Sequence, residues 1–470
     1  MKLPAELEEM ISRLSRFSRP LLVGGCVRDW LLGLEPVDFD IEVFGTDFPS
    51  LSKALADFGP TDVVGKQFGV VKVRAGEREY DFSLPRTESK MGAGHRGFSV
   101  VPSPSLSLEQ AASRRDFTIN AIAYNPGYRK IEDPFDGQGD LEKKRLRHIG
   151  PAFVEDPLRV LRGFQLAGRF RLDLAPETAR LCRSIRNAFY ELPRERIWGE
   201  WEKWAADSTE PSRGIKVLQE TGWLDAFPEV AALDEVPQDP EWHPEGDVLT
   251  HTKHCVDSLA GMREWREQPR QNRRDLMFAV LAHDLGKATT TRYAKKHGKM
   301  RWISHGHDAE GAHLADAFLR RIGAPSITQA FVPPLVKDHI YHVHLQSEPT
   351  PASIRRLAKR LQPATIHDLC IIMKADHCGR PPLPAAEPEG VALLQRYAHE
   401  LHIDRQAPRP ILLGRHLIAQ GLKPGPHFGS ILDSLFEAQL DGAFSNEEEG
   451  LSFLRNFLSK HDRLREEREG

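Results

Sequence analysis

The β-forming stretches of this 470-residue chain are gathered near its beginning. Short runs rich in β-branched and aromatic residues, at 21–23, 39–44, 70–73 and 119–124, alternate with turn signals up to about residue 148. Beyond that point the hydrophobic spacing becomes helical and stays so. The pattern predicts an α+β fold, with a mixed head over 1–148 and an all-helical neck and body over 149–235. A Pro- and acid-rich stretch at 233–240 reads as a linker. A histidine-rich helical domain at 243–380, a Pro-rich break at 381–388 and a helical tail at 389–470 complete the expected organisation. Inside the head, residues 85–113 are crowded with Gly, Ser, Pro and charge and read as a long loop.

Composition narrows the function classes. The chain is 28% charged and 40% hydrophobic, as globular proteins are. No apolar run approaches the roughly 18–20 residues needed to span a bilayer, so no membrane partner is expected. The acidic, amphipathic start MKLPAELEEMISRL is unlike a signal peptide, and five cysteines without CxxC spacing read as reduced thiols of a cytoplasmic protein. Net charge is only −3, so any nucleic-acid contact must come from locally grouped cations.

The chemistry starts at Asp38 and Asp40, which follow the turn Gly24-Gly25-Cys26-Val27-Arg28. A strand points residues i and i+2 to one face, so the two carboxylates project together. Side by side they repel unless hard cations such as Mg²⁺ sit between them and a phosphate. The paired glycines let the backbone approach a ligand, and Arg28 adds a cation. Asp81, in Glu79-Tyr80-Asp81-Phe82, offers a third acid on a neighbouring strand. Three carboxylates can hold two cations, one activating a hydroxyl and one binding triphosphate. Downstream, Arg114-Arg115-Asp116-Phe117-Thr118-Ile119-Asn120 offers arginines for phosphate oxygens and Asn120 for a sugar hydroxyl or phosphate.

The next segment, Glu155-Asp156-Pro157-Leu158-Arg159-Val160-Leu161-Arg162, starts a helix. Asp156 as a helix cap with solvated arginines is one reading. The other is base selection. Cytosine and adenine both present an amino donor beside a ring-nitrogen acceptor, so an Asp that accepts and an Arg that donates match them. Uracil and guanine would meet the same pair repulsively. Such a paired contact discriminates by about 1–3 kcal/mol.

The runs GGCVRDWLLG with DFD, RRDFTINAIAYN, DPFDGQGDL, EDPLRVLRG and PRERIWGE, over residues from about 20 to 200, resemble the class II tRNA nucleotidyltransferases, or CCA-adding enzymes, and the related bacterial poly(A) polymerases. The resemblance implies a polymerase-β-type head with Asp38 and Asp40 as metal ligands and Asp81 as a third acid. It implies nucleotide contacts from Gly24, Gly25, Arg28, Arg114, Asp116, Asn120 and Arg162, and base reading by Asp156 with Arg159. Mg²⁺, CTP, ATP and tRNA are the implied cofactor, substrates and partner. It also gives the 85–113 loop a part in switching from C to A addition.

A second site is legible further on. His251, the dyad His283-Asp284 ahead of Leu285-Gly286-Lys287, and Asp376 supply imidazole and carboxylate ligands from separate helices. They would close around one divalent metal of undetermined identity, with Lys287 meeting a phosphate oxygen. His305, His307 and His339 read as surface histidines, a second metal or phosphate site being the alternative. GDVLTHT and LAHDLGK resemble the HD-family phosphohydrolases, whose presence behind such a head implies phosphodiesterase or phosphatase activity.

Grouped cations at Arg355-Arg356-Leu357-Ala358-Lys359-Arg360 are either an RNA phosphate track or a solvated helix face. The tail over 460–469 balances acid and base, unlike the basic extension expected of a bacterial poly(A) polymerase. The expected function is therefore template-independent CCA addition to tRNA with a metal-dependent hydrolase behind it. A poly(A) polymerase, an enzyme adding only CC or only A, or an RNA-binding HD phosphohydrolase are the alternatives.

Overall fold

A computed structural model describes residues 1–62, 69–90, 98–345 and 348–469. The chain divides into two compact units, Met1–Phe227 and Pro228–Gly470.

The first unit is built on a seven-stranded sheet ordered β3-β4-β5-β2-β1-β8-β9. Its strands are β1 (Arg19–Val23), β2 (Phe39–Phe44), β3 (Thr61–Asp62), β4 (Val70–Ala75), β5 (Arg78–Ser83), β8 (Ala123–Asn125) and β9 (Lys130–Glu132). β6 (Arg86–Lys90) and β7 (Phe98–Pro102) pair separately as an antiparallel hairpin. The expected long loop at 85–113 is thus partly regular, since it holds that hairpin and a short helix, Leu108–Ala112, closed by a Ser107/Gln110 capping box. Residues 91–97 lie outside the described residues. β2 is central, antiparallel to β1 and parallel to β5. The amphipathic helix Ala5–Leu14 buries Leu7, Met10, Ile11 and Leu14.

The neck is mainly helical; its short β11 (Asp173–Leu174) pairs in parallel with β10 (Arg145–Leu146), the last strand before it. Helix Leu158–Phe170 buries Val160, Leu161, Phe164 and Ala167. Phe164 packs 4.6 Å from Trp201 and 5.3 Å from Trp204, ring centre to ring centre, and these aromatics dominate the local core.

Asp140, from the DGQGDL run, is fully buried beneath the RRDFTINA segment. It accepts from Thr118 Oγ1 at 2.6 Å, Arg145 Nε at 2.7 Å and Arg147 Nε at 2.9 Å. Burial alone would raise its carboxyl, but Thr118, Arg145 and Arg147 hold it below the usual carboxylate range. Asp140→Ala strips three donors of their acceptor and should cost about 3 kcal/mol in chemical denaturation. Because the folded pKa lies below the unfolded value, the stabilisation is present above about pH 4 and lost as pH falls further. The variant should therefore lose the acid-side fall in stability that this carboxylate contributes to the native chain.

The second unit is a helical assembly. Asp247 caps helix Val248–Gly261 through Thr250 N, and a Thr365/Asp368 capping box starts helix Ile366–Cys378. This histidine-rich domain is helical as expected, and carries in addition an antiparallel hairpin of β12 (Arg292–Lys296) and β13 (Lys299–Ile303). In the tail, Leu412, Leu417, Leu435, Phe444 and Leu454 form a small core of their own. The helix continues to Glu469, though the side chains of 460–469 lie outside the described residues. The Arg355–Arg360 run is not a free phosphate track. Arg356 and Lys359 pair with Glu437, Arg356 also with Asp441, and Arg360 with Asp338.

Candidate metal and nucleotide sites

The head site follows from strand register. Asp40 of β2 stands opposite Asp81 of β5 in a parallel ladder, so the two side chains leave the sheet on one face. Asp38 lies two residues before Asp40, in the bend leading into β2. Val23, the last residue of β1, pairs with Asp40, which carries the following Gly24 alongside it. A Cβ on Gly24 would meet Asp40 Oδ2 at 3.5 Å and Arg115 Nη1 at 3.1 Å, and its φ of +76° suits glycine. Asp40 is open to solvent. The surrounding protein nevertheless raises its carboxyl above the usual range, and the negative charges of Asp81 and Asp38 add to this against the pull of Arg115 and Lys72. Lys72 Nζ lies 3.1 Å from Asp81. The acids face one another with their mutual repulsion only partly offset, which is what a divalent cation would relieve.

Behind the acids lies a frame that the sequence reading missed in part. Glu42, two residues past Asp40 on the same face of β2, is fully buried and ion-pairs with both Arg114 and Arg115 at 3.3 Å. The alternation Asp38, Asp40, Glu42 was the available signal. Arg115, rather than Arg114, is the arginine whose charge acts on Asp40, and its Nη1 also donates to Asn120 O.

Asp116 and Asn120 do not present free polar atoms for a nucleotide. Asn120 Nδ2 donates to Asp116 Oδ1 at 2.9 Å, and Asn120 Oδ1 accepts from Arg28 Nη1 at 2.6 Å. Asp116 also accepts from Phe117 N and pairs with Arg162 Nε at 2.8 Å. Burial would raise Asp116, yet Arg162, Asn120 and Phe117 N hold it below the usual range. Arg28 is buried between Asp29, Asn120 and the ring of Phe170, 4.4 Å from its guanidinium. These residues fix one another, and through Arg162 and Phe170 they fasten helix Leu158–Phe170 to the head sheet.

Asp156 and Arg159 stand at the start of that helix, but they are held by other groups. Asp156 accepts from Leu158 N and ion-pairs with Arg196 at 2.9 Å. Arg159 donates to Ala152 O at 2.8 Å and Arg114 O at 2.6 Å. Arg196, in PRERIWGE, is a partner that sequence spacing alone did not connect to Asp156.

In the second unit the four expected ligands converge. His251 Nε2 lies 3.1 Å from Asp376 Oδ1 and 3.7 Å from Asp284 Oδ2. His283 Nε2 lies 3.2 Å from Asp284 Oδ2 and 3.9 Å from Asp376 Oδ1. Cys255, one helical turn after His251, brings its Sγ to 3.3 Å from His251 Nε2. It joins His251, His283 and Asp376 in a cluster whose ligand atoms all lie within 4.8 Å of one another. Burial pushes its thiol up to about 11.

Asp284 turns its other oxygen to a second cluster. Oδ1 lies 3.6 Å from His307 Nε2 and 3.9 Å from His339 Nε2, and those two nitrogens are 3.3 Å apart. His307 and His339 are therefore not surface histidines: His339 is fully enclosed, its pKa pushed down to about 3 by burial and by His307 and His283. His305 is exposed, as expected. Lys287 pairs with Asp284 at 2.7 Å and donates to Gln238, so it is not free to meet a phosphate. A Cβ on Gly286 would lie 2.1 Å from His307 O, so this glycine lets the His307 backbone press against the dyad turn.

All four histidines are oriented from behind. His283, His307 and His339 each place Nδ1 2.6–2.7 Å from a carbonyl, of Val280, Ser304 and Val336. His251 Nδ1 lies 2.7 Å from Glu245 Oε1, a buried carboxylate that also contacts His243. Each Nδ1–H is thereby engaged and each Nε2 turned inward, the arrangement by which ligating histidines are held. Asp284 Oδ1 and His283 Nε2 are buried without a hydrogen-bond partner among the described residues, which a divalent cation would satisfy.

Two family models match the chain, one over each of the segments that hold these clusters. Residues 21–147 match the poly A polymerase head domain family and residues 252–380 the HD domain family. The chain is 37% identical over 426 residues to the multifunctional CCA protein of Xanthomonas campestris pv. campestris (strain B100), spanning 88% of this chain and 96% of that one. It is 38% identical over 379 residues to the multifunctional CCA protein of Nitrosospira multiformis, spanning 78% and 86%. Its fold is similar to that of the Bacillus stearothermophilus CCA-adding enzyme solved with CTP, with a TM-score of 0.65, 23% identity and full coverage of both chains. The Thermotoga maritima CCA-adding enzyme complexed with tRNA gives a TM-score of 0.57 at 20% identity, over 97% and 96% of the two chains.

Proposed function

The chain belongs to the family of the multifunctional CCA proteins, and we propose that its first unit carries the nucleotidyltransferase site and its second a phosphohydrolase site. It adds C and A nucleotides to the 3′ end of tRNA from CTP and ATP without a template. The terminal ribose hydroxyl attacks the α-phosphorus in line and pyrophosphate leaves. Asp38, Asp40 and Asp81 would hold divalent ions, read here as Mg²⁺, which when bound supply charge against the triphosphate and activate the hydroxyl. Arg115 lies beside those acids, and the bare backbone at Gly24 leaves room for phosphate. Glu42, Asp116 and Asn120 position Arg114, Arg115, Arg28 and Arg162.

Asp156 and Arg159 read the base edge in this account, Asp156 accepting from the amino group and Arg159 donating to the ring nitrogen. Binding would exchange the contacts to Arg196 and Ala152 O for contacts to the base. The cytoplasm, where tRNA is found and the five free thiols would stay reduced, is the proposed location.

The observation that carries the reading is the register of Asp40 on Asp81 beside Gly24. Pure protein given tRNA lacking its 3′ end and each labelled nucleoside triphosphate should incorporate C and A. It should discriminate against U and G by roughly tenfold to a hundredfold. Equal use of all four nucleotides defeats the base-reading pair, and long A-only products would make the chain a poly(A) polymerase.

The HD residues fit a divalent metal, and its ligand set gives a further reading. Imidazole nitrogens with a thiol at 3.3 Å suit a borderline ion such as Zn²⁺, Ni²⁺ or Co²⁺ better than Mg²⁺. Such an ion supplies Lewis-acid charge at a phosphoryl oxygen and activates water. Glu245 keeps the His251 ring turned so that its Nε2 faces the site.

A further inference from the structure

We propose that the β12–β13 hairpin is a binding platform for single-stranded RNA, which leads the 3′ end of a polynucleotide to the HD site. The inference rests on the reading of that site as a phosphohydrolase and names its substrate class as polymeric RNA.

The hairpin stands out first by charge. Between Asp284 and Asp308 the chain has no acidic residue, but it has Lys287, Arg292, Lys295, Lys296, Lys299 and Arg301. Register then sorts the side chains. Tyr293 stands opposite Trp302 and Lys295 opposite Met300, so these four share one face. That face is open: Tyr293 is 55% exposed, Met300 51% and Trp302 36%. The Tyr293 and Trp302 rings lie 5.1 Å apart, centre to centre. On the other face Arg301 pairs with Asp239 and Glu241 at 3.2 and 2.5 Å, so the hairpin is held from behind. Lys296 and Lys299 stand opposite one another on the Arg301 face but at the exposed tip, where they flank the turn at His297 and Gly298, both of positive φ.

An exposed aromatic pair with the exposed Lys295 on its own face, and the exposed Lys296 and Lys299 at the tip, matches a nucleobase and its phosphates. Bases stack on aromatic rings whatever their sequence, while cations track the backbone. This separates the hairpin from the Arg355–Arg360 run, whose cations are taken up by Glu437, Asp441 and Asp338.

Position supplies the second argument. Thr291 Oγ1 and Ser304 Oγ, at the two roots of the hairpin, are 2.8 Å apart. Ser304 O accepts from His307 Nδ1 at 2.7 Å, and His307 Nε2 lies 3.6 Å from Asp284 Oδ1. The hairpin thus rises directly from a residue of the second histidine cluster. A strand stacked on it would have its end near the buried acids.

The test compares two substrates of the full-length protein, a short RNA ending in a 2′,3′-cyclic phosphate and the cyclic mononucleotide 2′,3′-cCMP. The variants are Tyr293→Ala with Trp302→Ala, and Lys295→Glu with Lys296→Glu and Lys299→Glu. Each should lower kcat/KM on the RNA about thirtyfold or more, with the mononucleotide rate changed less than twofold. Charge reversal should also reduce the steepness of the log–log salt dependence by about 2, near 0.7 per lost phosphate contact. Equal loss on both substrates, or no loss on RNA, overturns the proposal. If the native protein hydrolyses neither substrate, the phosphohydrolase reading fails by itself. The hairpin is then judged by photo-crosslinking of a 4-thiouridine RNA, which should label the peptide holding Tyr293 or Trp302; labelling elsewhere alone sinks it.

Discussion

Asp40→Ala is expected to reduce incorporation of both CTP and ATP into tRNA about a thousandfold, the loss that removal of several kcal/mol of transition-state charge stabilisation brings. The size follows from where Asp40 stands. It is the one acid that is two residues from Asp38, in register with Asp81 and against the Gly24 backbone. Its removal opens the centre of the face proposed to hold the ions, whereas loss of Asp38 or Asp81 would leave an adjacent pair. Both nucleotides should suffer equally, because the residues proposed to choose the base, Asp156 and Arg159, stand on another element. Raising the Mg²⁺ concentration should restore little, since two carboxylates cannot reproduce the missing ligand. Cyclic phosphate hydrolysis should be unchanged. Retention of addition at more than a tenth of the native rate would remove Asp40 from the chemistry and with it the head assignment.

The acids were readable because a strand has a period of two and the residues around Asp38 and Asp40 are strongly β-forming. Their partner was less so. The match of Asp40 with Asp81 depends on β2 and β5 running parallel with β4 between them in sequence, and no local pattern states that pairing. Glu42 continued the same alternation, but a buried acid makes sense only once Arg114 and Arg115 are seen to return to it. The motif suggests Asn120 as a nucleotide contact, and the family resemblance adds Asp116, but their pairing with each other is not visible in the spacing. In the fold they satisfy one another and Arg28, as buried polar groups must.

The same limits apply in the second unit. Cys255 was legible as the i+4 neighbour of His251 on one helix, but a thiol without CxxC spacing carries no metal signal. His307 and His339 are separated by a whole helical hairpin, and only packing reveals that both face Asp284. The β12–β13 hairpin was missed because its turn is His297-Gly298, where Asn-Gly or Asp-Gly is the usual mark. A region dense in cations and histidines suggested helix by continuity with its neighbours.

Asp284→Ala is expected to abolish cyclic phosphate hydrolysis, by about a thousandfold or more, while CCA addition continues at the native rate. Asp284 differs from the other proposed ligands in reaching both clusters, Oδ2 facing His251 and His283 and Oδ1 facing His307 and His339. Loss of this one carboxylate therefore unties two groups of histidines, so the effect should exceed that of His339→Gln, which disturbs only the second. The buried carboxylate is held well below its usual pKa against burial by His283, Lys287 and His307, so it is charged across the working range. Its removal leaves the Lys287 ammonium without its partner at 2.7 Å, and lost activity could then reflect a loosened fold. Metal content separates the two causes. After dialysis the native protein should retain divalent ion, Asp284→Ala should not, and Lys287→Met should keep its ion while losing the same ion pair. If Asp284→Ala retained as much metal as the native protein, the carboxylate would not be a ligand, and the inward-facing histidines would need another explanation.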